Sequence, residues 1–379
     1  MPVVTCIEDL RALAKKRVAR VIFDYVDRGS YAEATLRANR ADFEAIALRQ
    51  RVGIDVDRRS TRTTMAGHDV AMPVALAPVG LTGLNWADGE MLAARAAERF
   101  GVPFTLSTMS ICSIEDVAGA VTKPFWFQLY VMRDRGFAAS LIERAKAAKC
   151  SALVLTLDLQ VQGQRHRDLK NGLTVPPKLT WGTFWDIASK PSWAFNVLQG
   201  RRKSFGNLEG RIPDAKSLTT LSQWIAGQFD PTLSWKDVEW VRKLWGGKLV
   251  LKGILDAEDA KIAAQAGADA VVVSNHGGRQ LDGAVSSIRA LPEIVEVVKD
   301  KTEVWFDGGI RSGQDVLKAL ALGARGTLIG RAFAYGLGAM GEAGVSCALE
   351  LIQKELDVSM ALCGLRDVKD ASPAILRAW

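Results

Sequence analysis

The chain has 379 residues, 48% of them hydrophobic and 24% charged, which excludes a disordered or fibrous protein and leaves room for a large buried core. The formal net charge is +7, but no helix-turn-helix, zinc or RNA-binding signature accompanies it, so nucleic acid is not an expected partner. The five cysteines (Cys6, Cys112, Cys150, Cys347, Cys363) form no CxxC pair and suit reduced thiols in a cytosolic setting; the first 25 residues are too charged for a secretory signal, and no apolar run reaches the ~18 residues of a spanning helix.

Residues 7–27 place Leu10, Leu13, Val18, Val21, Ile22 and Tyr25 at roughly helical spacing, which predicts one or two helices ahead of the main fold. Asp27-Arg28-Gly29-Ser30 ends that run in a turn. Tyr25 suits a packed aromatic as well as a ligand contact. From residue 74, apolar strands recur at 74–80, 103–107, 125–130, 152–158, 248–253, 270–276, 303–309 and 326–331. Ala-rich amphipathic helices lie between them, as at 89–100, 137–149, 257–266 and 314–322. Eight such units predict an α/β fold, a (β/α)8 TIM barrel with N-terminal helices and a long insertion after strand 4. The expected organisation is one domain over 1–379, with an N-terminal helical segment at 1–73, the barrel at 74–356 and the insertion at 159–233. A doubly wound sheet is the alternative, but no GxGxxG opens a helix after the first strand.

In such barrels the active site lies at the C-terminal strand ends. Here those ends carry Gly80, Ser107, Gln128, Tyr130, Thr156, Asp158, Lys252, Ser274, His276, Asp307 to Gly309, Gly330 and Arg331. Polar groups inside a barrel cost free energy unless partnered, so their convergence on one rim implies a polar ligand. Glycines cluster after the last two strands, in Asp307-Gly308-Gly309-Ile310-Arg311 and Gly330-Arg331. That is where this fold usually binds phosphate, with Arg311 and Arg331 as added donors. Lys252 needs a negative partner, either a bound anionic cofactor or a carboxylate such as Asp307.

The insertion holds ten Lys/Arg against five Asp/Glu, and four of the eleven tryptophans: Trp181, Trp185, Trp193 and Trp224. Phe184, Phe195 and Leu198 interleave with them, and Arg201-Arg202-Lys203 follow. An aromatic stretch beside a basic cluster suits an anionic membrane surface; a lid or a subunit contact remains open.

Of the three histidines, His68 precedes the barrel and His166 sits among cations. His276 alone ends a barrel strand, inside Ser274-Asn275-His276-Gly277-Gly278-Arg279-Gln280-Leu281-Asp282. A base near neutral pH, a guanidinium fork for a carboxylate and a tight turn thus sit together. Cys, His, Asp and Glu do not recur at ligand spacing, so no metal is expected and an organic cofactor would have to supply any redox chemistry.

That nine-residue string resembles the signature of the FMN-dependent L-2-hydroxy acid oxidoreductases, and the resemblance runs from about Tyr25 to about Leu365. It implies FMN as cofactor, His276 as the base and Asp158 as the carboxylate that holds its imidazole. It implies Arg279, Arg165 and Tyr25 as a clamp on the substrate carboxylate, and Tyr130 as partner of the substrate oxygen. Ser107, Gln128, Thr156, Lys252 and Ser274 would contact the flavin, with the backbone at Ala77, Pro78 and Val79 facing the ring. Asp307 would meet the ribityl chain, and Gly309, Arg311, Gly330 and Arg331 the phosphate. Two departures are visible: Leu159-Gln160 follows Asp158 where many relatives carry Thr-Pro, and Met109 stands where glycolate oxidases carry tryptophan.

Stretches such as Ala77-Pro78-Val79-Gly80-Leu81 and Trp126-Phe127-Gln128-Leu129-Tyr130-Val131 are most similar to the bacterial quinone-linked L-lactate dehydrogenases. The expected activity is oxidation of an L-2-hydroxy acid, L-lactate to pyruvate first, with a quinone or cytochrome as acceptor because no haem-binding domain precedes the barrel. L-mandelate oxidation and an oxygen-using oxidase are the alternatives. The resemblance further implies a homotetramer in the cytoplasm, peripheral on the inner face of the cell membrane. Outside this class stand a non-catalytic phosphate-ligand barrel, and an isomerase or aldolase with Lys252 as a Schiff base.

Overall fold

The structure is a computed structural model that describes residues 3–173, 180–209 and 227–377. Three helices open the chain: α1 (Ile7–Arg17), α2 (Arg20–Asp27) and α3 (Ala34–Ala45). The first two are the pair expected from the spacing of 7–27. The third escapes an apolar pattern because much of what it buries is polar, Thr35 and Asn39 beside Phe43. A short antiparallel hairpin follows, β1 (Thr63–Met65) with β2 (His68–Val70).

The eight expected strands all form: β3 (Val74–Leu76), β4 (Thr105–Ser107), β5 (Trp126–Leu129), β6 (Ala152–Thr156), β7 (Lys248–Ile254), β8 (Ala270–Val273), β9 (Glu303–Asp307) and β10 (Gly326–Ile329). Six are shorter at their C-terminal ends than the sequence pattern predicts, because the polar terminal residues leave the ladder and turn over the rim; β4 ends where expected and β7 runs one residue further. Every pairing in the sheet is parallel, in the order β3-β10-β9-β8-β7-β6-β5-β4. A parallel bridge from Leu76 to Phe104 closes the barrel.

Side chains two apart on a strand share a face. The inward positions therefore fall into layers. Trp126 and Trp305 stack at 5.0 Å inside the barrel, with Val154, Val250, Val272 and Leu328 around them. Met65, Ala66 and Val70 of the hairpin belong to the same cluster and fill the N-terminal end. One step further along the strands, the inward layer is polar: Ser107, Gln128, Thr156, Lys252, Ser274 and Asp307. The register sets neighbours in that layer side by side, Ser107 with Gln128 and Thr156 with Lys252.

The outer helices are α4 (Gly89–Phe100), α5 (Ile114–Ala118), α6 (Arg135–Ala147), and, within the insertion, α7 (His166–Lys170), α8 (Trp181–Ala188) and α9 (Pro191–Gln199). After the insertion come α10 (Trp235–Trp245), α11 (Ala257–Gln265), α12 (Ser287–Val298), α13 (Gly313–Ala321), α14 (Arg331–Met340) and α15 (Glu342–Cys363). Side-chain N-caps at Asp134, Asp256, Ser286 and Ser312 start four of them just beyond the rim.

In the insertion, α8 and α9 lie on the N-terminal helices and on the loop after β3. The Arg20 amide donates to Asp186 Oδ2 at 2.5 Å, and the Ala87 amide to Asn196 Oδ1 at 3.0 Å. Trp193 departs from its expected role as a surface ring: it is buried, and its indole donates to the Leu84 carbonyl at 2.9 Å. Trp181, Phe184, Trp185, Phe195 and Leu198 are exposed, Trp181 at 81%. The basic cluster is less free than its sequence implies. Arg202 pairs with Asp116 and Glu209, and Lys203 donates to carbonyls at the C-terminal end of α9, including Gly200 at 2.7 Å. Trp224 and part of the expected 177–215 segment lie outside the described residues. No helix among the described residues is long and apolar enough to cross a membrane.

Candidate active site

A cavity of about 240 Å³ opens at the C-terminal rim. On its floor are the backbone turn at Ala77, Pro78 and Val79, with Ser107, Thr156 and Lys252 from neighbouring strands. Tyr25, Tyr130, Arg165, His276 and Arg279 line it as well, together with Asp307, Gly309, Arg311, Gly330 and Arg331. Arg279 and Arg331 meet at the Arg28 carbonyl, to which both donate. Of the residues singled out in the sequence, Gln128, Asp158 and Ser274 stand behind this lining, each bonded to a residue that lines it.

His276 lies three residues beyond β8, in the loop that follows it, with φ +57°, an uncommon conformation for a non-glycine residue. Its Nδ1 is 2.9 Å from Asp158 Oδ1. Burial opposes the charge on Asp158, but His276 and Lys252 outweigh it and hold the carboxyl below its usual range. An ionised carboxylate only accepts, so Nδ1 carries the hydrogen and Nε2 keeps its lone pair. Burial lowers the imidazole pKa, and Asp158 offsets this only in part. His276 is therefore neutral at neutral pH, the form a base requires.

Arg279 and Arg165 flank the Tyr25 ring, their guanidinium carbons 4.6 and 5.9 Å from its centroid. Arg279 donates to the carbonyls of Tyr25 and Arg28. Burial and the nearby Arg165 pull its pKa down to about 10, which leaves it charged. The nearest acid to Arg165 is Asp168, at 4.0 Å. Two buried cations facing a cavity with one distant acid make a site for a carboxylate.

Lys252 realises the carboxylate pairing held open from sequence: Nζ lies 2.8 Å from Asp307 Oδ2 and 2.9 Å from Ser274 Oγ. Ser274 in turn donates to Asp307 at 2.7 Å and accepts from the His276 amide at 3.1 Å. Burial disfavours the ammonium, but Asp307 and Asp158 outweigh it and raise its pKa. Lys252 is thus a fixed cation, which argues against a Schiff-base lysine.

The residues fit an FMN. Gln128 Nε2 and Thr156 Oγ1 are buried without a hydrogen-bond partner among the described residues, which leaves polar atoms at the strand ends for the edge of a flavin ring. Lys252 supplies a cation beside them. Gly330 caps the ten-residue α14, whose first N–H groups suit a phosphate. Arg311 and Arg331 border the same end, although Arg331 here donates to the carbonyls of Val26, Gly277 and Arg28.

Several contributors escaped the sequence reading. Leu159, Gln162 and Phe229 line the cavity from the ends of the insertion, and Phe205 from its interior beyond α9, where no spacing marks them. Helix α3 props the rim from outside: Asn39 and Asn275 exchange two amide hydrogen bonds of 2.8 Å. Arg40 donates to the Gly309 carbonyl at 2.5 Å and to Asp315 at 2.7 Å. A Cβ on Gly309 would stand 2.2 Å from the Asn39 carbonyl, so only glycine fits there.

A model of the FMN-dependent dehydrogenase family matches residues 14–378. The chain is 51% identical over 375 residues to an L-lactate dehydrogenase of Caulobacter vibrioides, covering 99% of this chain and 98% of that one. It is 50% identical over 363 residues to an L-lactate dehydrogenase of Acinetobacter baumannii, covering 96% and 94%. Among solved structures it resembles the monotopic membrane protein (S)-mandelate dehydrogenase, with a TM-score of 0.94 at 37% identity over 99% of this chain and 100% of that one. A mandelate oxidase superposes with a TM-score of 0.85 at 38% identity, over 99% and 98%.

Proposed function

The chain belongs to the FMN-dependent dehydrogenase family, and on that premise we propose that it oxidises L-lactate to pyruvate and delivers the electrons to a quinone or another external acceptor. The observation that carries the reading is the meeting of the His276–Asp158 pair with Arg165 and Arg279 in one cavity. L-lactate is preferred to L-mandelate because the relatives named for lactate share about half their residues with this chain, and those named for mandelate 37–38%.

Arg279 and Arg165 hold the substrate carboxylate, with Tyr25 packed between them. The Tyr130 hydroxyl, which burial keeps protonated, donates to the substrate oxygen. His276 accepts a substrate proton at Nε2, and Asp158 stabilises the imidazolium through Nδ1. Bound FMN supplies the two-electron acceptor chemistry. Ser107, Gln128, Thr156 and Lys252 hold the ring, Ser274 and Asp307 keep Lys252 in place, and Gly309, Arg311, Gly330 and Arg331 take the phosphate.

The acceptor completes the reading. A quinone lives in the bilayer, and α8 and α9 present Trp181, Trp185, Phe195 and Leu198 to solvent. Such rings settle at headgroup level. The protein is then cytoplasmic and peripheral on the inner face of the cell membrane, as a homotetramer whose mass sizing chromatography would give. The structural relative described as monotopic supports this placement. An oxygen-using oxidase is the second reading, favoured by the likeness to mandelate oxidase.

Anaerobic mixing of the yellow holoprotein with L-lactate, glycolate, L-mandelate and longer 2-hydroxy acids tests the proposal. Fastest bleaching of the flavin band is expected with L-lactate. Faster bleaching by L-mandelate would reassign the substrate, and no bleaching by any of them would overturn the reading.

A further inference from the structure

We infer that Gln280 is a positioning residue that fixes the spacing between the two loops carrying the proposed chemistry, an inference that rests on the roles given above to His276, Asp158 and Arg165. One loop follows β6 and carries Asp158 and Arg165. The other follows β8 and carries His276 and Arg279. Gln280 bridges them with a half-buried side chain. Its Nε2 donates to the Asp158 carbonyl at 2.6 Å and to the Val161 carbonyl at 2.9 Å. Its Oε1 accepts from the Gly163 amide at 3.2 Å. All three contacts match an amide in one orientation. Glutamate would set an acceptor against two carbonyls, and an apolar side chain would satisfy none of them.

The backbone is fitted to the same bridge. A Cβ on Gly163 would lie 2.7 Å from the Gln280 carbonyl and 2.9 Å from the Arg279 carbonyl, so the two chains touch there. From the far side, Ser30 Oγ donates to the Gln280 carbonyl at 2.7 Å, and the Tyr31 amide to the Gln164 carbonyl at 2.9 Å. The turn after α2, which carries Tyr25, is thereby tied to both loops. Among the described residues, the remaining hydrogen bonds between the two loops are the 2.9 Å contact of His276 with Asp158 and a long one, 3.4 Å, from Arg165 Nε to the Arg279 carbonyl. Without Gln280 the base and the carboxylate clamp would keep their residues and lose their separation. A misplacement of about 1 Å costs on the order of 10²-fold in rate.

The test compares wild type with Gln280→Met, and with Gly163→Ala, which disturbs the same bridge from the opposite chain. L-lactate oxidation is followed against pH, beside FMN content, thermal unfolding and amide exchange over residues 158–165. Both variants should bind FMN fully and unfold near the wild-type temperature. Their kcat/KM should fall by about 10–100-fold, with KM raised and kcat lowered together. Their acid limb should move to lower pH, because a loosely held Asp158 raises the imidazole pKa less. Amide exchange over 158–165 should quicken, a readout that stands whatever the substrate proves to be. Wild-type KM, kcat, acid limb and exchange in both variants would overturn the inference. So would a loss of active fraction with an unmoved KM and pH profile. Failure of the wild type to oxidise any L-2-hydroxy acid would instead overturn the proposed function.

Discussion

His276 Nδ1 lies 2.9 Å from Asp158 Oδ1, across 118 positions of sequence and two strand ends. The contact fixes which ring nitrogen is free and stabilises a charge that burial would otherwise suppress. The chemistry of the proposed reaction depends on this pair.

Replacing His276 with Gln should leave FMN bound and slow flavin bleaching by at least ~10²–10⁴-fold, the usual contribution of a general base. Stopped-flow absorbance would show it. Bleaching at the wild-type rate would remove His276 from the mechanism.

The pH profile has a defined sign. The base works neutral, and its pKa lies below the ordinary histidine value of 6.5. As pH falls through that lowered pKa the imidazole is protonated and kcat/KM is lost, so the acid limb should have its midpoint below 6.5. In Asp158→Asn the partner that raises the pKa is gone. The limb should move lower still while kcat drops. An acid limb above the ordinary histidine value would mean another group is being titrated.

Arg279→Lys keeps a charge and loses the planar fork. Hydrogen bonds to charged groups contribute about 1.5–3 kcal/mol, so KM for L-lactate should rise roughly 10–100-fold with FMN content unchanged. Flavin loss with an unaltered KM would show that the residue serves the cofactor.

Excision of 177–215 would be a poor test of membrane contact. It would remove the packed Trp193 and also Asn207, which accepts from the Ile114 amide and donates to the carbonyls of Ser107 and Thr108. Serine at Trp181, Trp185, Phe195 and Leu198 spares both. Co-sedimentation with anionic vesicles and quinone reduction should fall, while bleaching by substrate survives. Because Arg202 and Lys203 are already engaged, the binding should weaken only modestly with salt. Undiminished sedimentation would place the contact elsewhere.

Asn39→Ala would take one partner from each amide atom of Asn275, which would keep Gly278 and Val285, and would remove the side-chain acceptor of the buried Ser287 amide. A buried polar group left unsatisfied costs about 1–3 kcal/mol. Urea unfolding should report that loss, and the active-site variants should not share it.

The sequence by itself determined the barrel. Parallel strands buried on both faces read as apolar, β-branched runs, and eight of them, evenly spaced but for one long insertion, leave little choice of fold. It also determined the chemical inventory of the rim, because Ser107, Gln128, Thr156, Lys252, Ser274 and Asp307 stand where apolar runs break off. Which of these groups meet was decided only by the tertiary structure. Lys252 could face a ligand or a carboxylate, and barrel closure set Asp307 2.8 Å away. Trp181 and Trp193 read alike as surface rings. Packing against the loop after β3 buried one through a bond to Leu84 and left the other exposed. Arg202 looked like free charge until Asp116, 86 residues away, came beside it. Helix α3 was illegible because it meets the rim through Asn39 and Arg40, polar side chains that follow no hydrophobic period. Local patterns record what each segment must bury. The partner of a polar group depends on distances between segments that the folded chain alone sets.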